Sequence, residues 1–206
     1  MIAFIRSLFL AAVLLLAACA TAPETRYYSL EDFTSQQDLF CADNGSRPAQ
    51  LTVLSFNVLP PFDTTRIIYR PPDLPQTIGF YASHRWATLP ARMLTQATVD
   101  YFCKQGINAQ LGAADDSTSQ STMVSADVSE LLEVDTPKGP TGQLALTLRV
   151  QDDHGKSTFE KELWGRVLAQ ENTVDSVVEA IGKALYEALD RVRPRIKRLM
   201  KSSRGR

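Results

Sequence analysis

The first nineteen residues decide how much of this chain is available to fold, and in which compartment. Met1 and Arg6 precede an apolar, uncharged run from Leu8 to Leu16, and Ala17, Ala18 and Cys19 come next. A positive start, a short apolar stretch and small residues at a cleavage point make a secretory signal. The run is too short to span a bilayer, which takes about 20 apolar residues. The fold is therefore built from the residues beyond position 18, in an exported and oxidising setting.

Leu16-Ala17-Ala18-Cys19 resembles the lipobox of bacterial lipoproteins. The resemblance implies a diacylated Cys19 sulfur, removal of residues 1–18 and acylation of the new amino terminus. Several acyl chains, at about 0.8 kcal/mol per buried CH₂, anchor far more firmly than one. Ala20, where an Asp would signal retention, implies sorting to the outer membrane. The mature chain then faces the periplasm as a lipid-anchored protein, with covalent lipid as its only non-protein group.

Charge is distributed unevenly behind a net value of −1. All 23 acidic residues lie at or before Asp190, whereas Arg191, Arg193, Arg195, Lys197, Arg198, Lys201, Arg204 and Arg206 lie after it. The body is acidic and its end is basic. Two cysteines remain beside Cys19, an even number in an oxidising compartment. Cys41 and Cys103 either form a disulfide, worth about 2–4 kcal/mol, or stay as partly buried thiols. Neither lies in a C-x-x-C or near a His, so a metal site is not expected.

Residues 19–50 are polar and broken by Pro23, Gly45 and Pro48, which reads as a lipidated tether. Within it, Tyr27-Tyr28-Ser29-Leu30 reads as a short strand or docking segment. From Leu51 to Val58 both alternating faces carry apolar residues, as in a central strand closed by Pro60-Pro61. Thr65–Arg70 and Thr77–Tyr81 are strands rich in β-branched and aromatic residues. Leu89, Met93, Leu94, Ala97, Tyr101 and Phe102 recur at helical spacing, with Pro90 in the first turn and Gly106 as the stop. Ile107–Leu111 reads as a strand, and 113–121 as a polar loop.

Two long strands come next, around Val124–Val128 and Leu144–Val150, joined by a turn at 136–140. Asp153-His154-Gly155 turns the chain back through Phe159 to Val167. A final helix starts at an Asn172 N-cap and buries Val174, Val177, Val178, Ile181, Leu185, Leu189 and Val192. Pro194 ends or kinks it. These elements predict a single α+β domain over 51–193, with a mainly antiparallel sheet and both helices on one face. Residues 194–206 are then a basic C-terminal tail, either solvated or bound to anionic head groups.

Catalytic motifs are missing from the sequence. There is no G-x-S-x-G, phosphate loop, H-E-x-x-H or dinucleotide fingerprint. The two histidines, His84 and His154, read as a packing residue and a turn residue, and Asp115-Asp116 and Asp152-Asp153 as solvated loop acids. The expectation is a protein that is not an enzyme.

The stretch Arg66-Ile67-Ile68-Tyr69-Arg70, then Ile78-Gly79-Phe80-Tyr81, then His84-Arg85-Trp86-Ala87, resembles the ABC-type transport auxiliary lipoprotein family. With Tyr27-Tyr28-Ser29-Leu30 after the lipobox, the resemblance spans roughly residues 27–190. It implies an outer-membrane docking component for the MCE-domain periplasmic subunit of an ABC lipid-transport system. Phospholipid contact is implied as well, nucleic acid is not, and self-association is left open. Arg66, Tyr69, Arg70, Arg85 and Trp86 are the expected partner-binding residues, with an acyl-chain carrier as the alternative function. Arginine and aromatics are the types enriched in interface hot spots.

The anchor has a direct test. A Cys19→Ser variant should lose incorporation of labelled palmitate and stay out of the membrane fraction, whereas the parent is labelled and sediments with membranes.

Overall fold

The computed structural model describes residues 24–30, 51–74, 76–112, 121–152 and 156–203. The signal, Cys19, the tether segment with Cys41, residues 113–120, His154 and residues 204–206 lie outside the described residues.

Among the described residues the order of elements is β1 (Arg26–Tyr28), β2 (Leu51–Leu54), β3 (Asn57–Val58), β4 (Arg66–Arg70), β5 (Gly79–Trp86), α1 (Pro90–Lys104), β6 (Ala109–Gly112), β7 (Thr122–Thr136), β8 (Gly139–Gln151), β9 (Ser157–Leu168) and α2 (Val174–Ser203). The architecture is α+β, a mixed and mostly antiparallel nine-strand sheet with two helices. None of the described helices is long and apolar enough to cross a membrane.

Strand β7 is the spine. Along one edge it pairs antiparallel with β8 from Met123↔Gln151 to Thr136↔Gly139, and β8 pairs antiparallel with β9. Its other edge is shared end to end by three short strands, β2, β3 and β4, all parallel to it. β6 extends the sheet beyond β2, while β5 and then β1 extend it beyond β4. The expected strand at 51–58 is therefore two strands, broken at Ser55-Phe56. At the break the Phe56 amide leaves the ladder and donates to Thr95 Oγ1 of α1, at 2.9 Å.

Apolar periodicity places the helices. The buried stripe of α1 is Met93, Leu94, Ala97, Tyr101 and Phe102, as read from spacing, whereas Leu89, also expected there, lies at the N-cap and is 57% exposed. Its end is a left-handed glycine turn, with Gly106 at φ 72°. Gly106 N–H donates to Cys103 O and Ile107 N–H to Phe102 O, satisfying the last carbonyls. The seven positions expected to be buried on α2 are all buried, joined by Ala184, Ala188 and Ile196.

Two details of α2 differ from expectation. Thr173, rather than Asn172, caps it, its Oγ1 accepting from Ser176 N–H at 3.3 Å. Pro194 lies inside the helix, which runs on to Ser203. One backbone bond is lost there, and Val192 and Ile196 on either side are buried. The basic segment that reads as a tail is, through Ser203, helix.

Contact between α2 and the sheet is close at two glycines. A Cβ on Gly142 would lie 2.5 Å from Ile181 N, and one on Gly165 2.2 Å from Ala184 O. The helix backbone rests directly on β8 and β9. The far edge of β9 has no strand partner among the described residues. There, Arg191 of α2 donates to the Trp164 carbonyl at 2.5 Å. Tyr101 of α1 donates to Asp190 of α2 at 2.6 Å, tying the helices to each other. Cys103 is disulfide-bonded, and the cysteine that it bonds lies outside the described residues.

Gly165→Val forces a branched side chain into the Ala184 backbone. Overpacking of this kind costs about 1–3 kcal/mol, so the melting temperature should drop by several degrees while the far-UV spectrum at low temperature is kept.

Candidate functional site

Pairing register sorts the expected contact residues by face. Arg66 of β4 is paired with Arg85 of β5, and Arg85 with Tyr27 of β1, so these three form one row on one face. Arg66 is exposed and its guanidinium stacks 4.4 Å from the Phe80 ring centroid. Arg85 is half-buried and Tyr27 is 68% exposed. Neither Arg66 nor Arg85 has a carboxylate partner among the described residues, although the two are direct cross-strand neighbours. Like charges in that position repel. The same face carries Arg70, Val134, Thr141 and Leu168 in a second row across β4, β7, β8 and β9.

Arg70 differs from the other two arginines because Glu130 lies 3.9 Å away. Its partner is thus Glu130. Glu130 also accepts from the Gln143 amide, whose own Oε1 is buried with no partner among the described residues.

Trp86 needs correcting. It alternates with Arg85 along β5, so its ring turns to the opposite, helix-covered face and is 2% exposed. Its backbone is locked as well, Trp86 N–H donating to Thr65 O at 2.7 Å. A ring so enclosed closes the core and cannot meet a partner. Tyr69 also faces inward, on the row Tyr69–Glu133–Gly142 beneath α2, with its ring 5.0 Å from that of Tyr81. Of the five expected residues, the structure leaves Arg66 exposed and Arg85 half-buried on the face away from α2, holds Arg70 in an ion pair, and turns Tyr69 and Trp86 inward.

The inward side holds a buried polar cluster that no sequence motif announces. Glu133 is 3% exposed and accepts from Tyr81 Oη at 2.7 Å. Burial pushes its carboxyl above the ordinary glutamate range; the Tyr81 hydrogen bond opposes this and the nearby Asp135 charge adds to it. Tyr81 is in turn pushed up by its own burial and by donating to Glu133. Next to it, Tyr28 Oη and His84 Nδ1 are 2.8 Å apart. In the sequence Tyr28, Tyr81 and Glu133 are legible only as strand residues, because their meeting depends on β1, β5 and β7 being brought to one face.

A groove of about 470 Å³ lies beside the outer side of α2. Leu30, Val178, Gly182 and Tyr186 give it apolar lining, and Lys104, Lys183, Asp175 and Glu179 give it charge.

No family model and no curated protein matches the sequence. Solved structures do match. The chain is similar to an uncharacterized protein with a TM-score of 0.64 and 13% identity, over 83% of this chain and 98% of that one. It is also similar to a Xanthomonas campestris protein described as DUF330, with a TM-score of 0.56 and 15% identity, over 71% of this chain and 82% of the other. At such identities the likeness is one of fold, which this chain shares with the DUF330 protein.

The buried Glu133 has a pH signature. Its native pKa lies above the ordinary 4.5, so the folded state holds the proton more tightly than the unfolded chain. Stability from this group is therefore full below the unfolded pKa and falls as pH rises through the native one. Glu133→Gln should flatten that slope, and its melting temperature should gain on the parent as pH increases. A parallel pH dependence in both proteins would assign the effect elsewhere.

Proposed function

We propose that this chain is a lipoprotein held at the outer membrane through acyl chains on Cys19, and that it docks the MCE-domain subunit of an ABC lipid-transport system. The role is one of attachment and not of catalysis. Support comes from the lipobox, from the resemblance of residues 27–190 to the auxiliary lipoprotein family, and from one observation on the sheet face away from α2. Arg66 and Arg85 are direct neighbours there, with no carboxylate partner among the described residues. A fold tolerates such repulsion at a cost, and an anionic group on a partner removes it. Tyr27 beside them supplies an exposed aromatic contact.

The alternative, a carrier that holds an acyl chain, is favoured by the groove at Leu30, Val178, Gly182 and Tyr186. Its volume falls within the range of about 300–1,000 Å³ typical of small-molecule sites.

Arg66→Glu separates fold from function. It gives up the stack on Phe80, worth about 0.5–1 kcal/mol, and gains a cross-strand pair with Arg85, worth about 0.2–1 kcal/mol. Stability should stay close to the parent. Capture of the MCE-domain subunit by a photo-crosslinker at Tyr27 should fall sharply in the same variant. Undiminished capture sinks the docking face, and recovery of crosslinked phospholipid in place of protein supports the carrier.

A further inference from the structure

The groove beside α2 has two walls of unequal firmness. One is α2 itself, through Val178, Gly182 and Tyr186. That helix rests on β8 and β9 at backbone distance, where a Cβ on Gly142 or Gly165 would run into Ile181 N or Ala184 O. It cannot shift without disturbing the core. The other wall is Ser29 and Leu30, which continue β1.

β1 is three residues long and stands at one end of the strand order. Among the described residues its strand partner is β5, in the register Arg26↔His84, Tyr27↔Arg85 and Tyr28↔Trp86. Three of the side chains in residues 26–30 reach toward the helix. Arg26 Nη1 lies 4.0 Å from Asp175 Oδ2, with the two side chains 69% and 67% exposed. Water screens a pair of that kind. Tyr28 Oη lies 2.8 Å from His84 Nδ1. Leu30 comes within van der Waals reach of α2, since a Cβ on Gly182 would lie 3.6 Å from Leu30 Cδ2. Tyr27, between them, turns to the other face and is 68% exposed. Short elements with few buried contacts open at a small fraction of the global unfolding free energy.

We infer that residues 26–30 are a movable wall. Seated on β5, they complete the groove; lifted from it, they dismantle the groove and release an acyl chain held there, while α2 and the rest of the sheet stay folded. The release step rests on the carrier reading proposed for the groove. The motion does not, and neither depends on the docking residues Arg66 and Arg85.

Two adjacent amides report the motion. Ala87 N–H donates to Tyr28 O, across the wall, and Trp86 N–H donates to Thr65 O, away from it, each at 2.7 Å. In native-state hydrogen exchange of the full chain, Ala87 should exchange at least about tenfold faster than Trp86. Its rate should barely change in low urea, because a local opening exposes little surface, whereas that of Trp86 should climb. Tyr28→Phe keeps the ring and removes the bond to His84, and it should speed Ala87 exchange by about two- to tenfold. Equal rates and urea slopes at the two amides mean that the wall lifts only on global unfolding, and overturn the proposal. Fast exchange at Ala87 that Tyr28→Phe leaves unchanged is fraying of Ala87 alone, and overturns it as well.

A second arm follows release of the fluorescent acyl probe 11-(dansylamino)undecanoic acid by stopped flow. Release should quicken in Tyr28→Phe by the factor read at Ala87. Unchanged release beside quickened exchange overturns the wall's part in letting the chain go. A parent protein that takes up no probe, yet shows the expected exchange at Ala87, loses the carrier reading and keeps the moving wall.

Discussion

Strand β7 is long because both of its edges are used, and the remaining architecture depends on that. One edge takes β8 along the whole length, an arrangement set by a short turn. The other edge is filled piecemeal by β2, β3 and β4, which come from a single stretch of chain running beside β7 in the same direction. A buried backbone must satisfy its donors and acceptors. The interruption between β2 and β3 is repaired locally, where Phe56 N–H turns to Thr95. The helices then settle on one surface of the spine, and the glycines at 142 and 165 let α2 come down to backbone contact. Sheet and helix are thereby fixed as one layered unit, and the two faces acquire different chemistry.

That difference governs the site. The covered side buries Trp86 and Glu133 and half-buries Tyr69, and Glu133 is taken up internally by the Tyr81 hydroxyl. The opposite face keeps Arg66 and Arg85 in register with each other. A carboxylate between them would have relieved the repulsion within the chain, as Glu130 does for Arg70. The contrast between the three arginines is between one held in an ion pair and two with no carboxylate partner among the described residues.

Local periodicity made much of the fold legible. The seven apolar positions of α2, the stripe of α1 with its glycine stop, and the meander from residue 122 to residue 168 are all consequences of period and turn chemistry. Pairing between distant strands is not. Nothing local in Arg26–Tyr28 or Arg66–Arg70 states that they lie parallel to strands far along the chain. The contact set suffered for the same reason. Arg85 and Trp86 are neighbours in sequence, yet alternation leaves one half-buried on the outer side and sends the other into the core. Which of the two faces was covered could be told only once α2 was in place.

The open edge of β9 carries a consequence for how such molecules can live together. A strand of this length with no partner on its outer edge among the described residues invites another copy to add its own strand. Here Glu160, Glu162 and Arg166 are exposed along it, and Arg191 occupies the Trp164 carbonyl that an incoming amide would seek. On the lipid-anchored reading proposed above, tethering to a surface raises the effective concentration of neighbours far above that of free diffusion. A guarded edge lets crowded copies slide past each other in two dimensions without knitting into a continuous sheet.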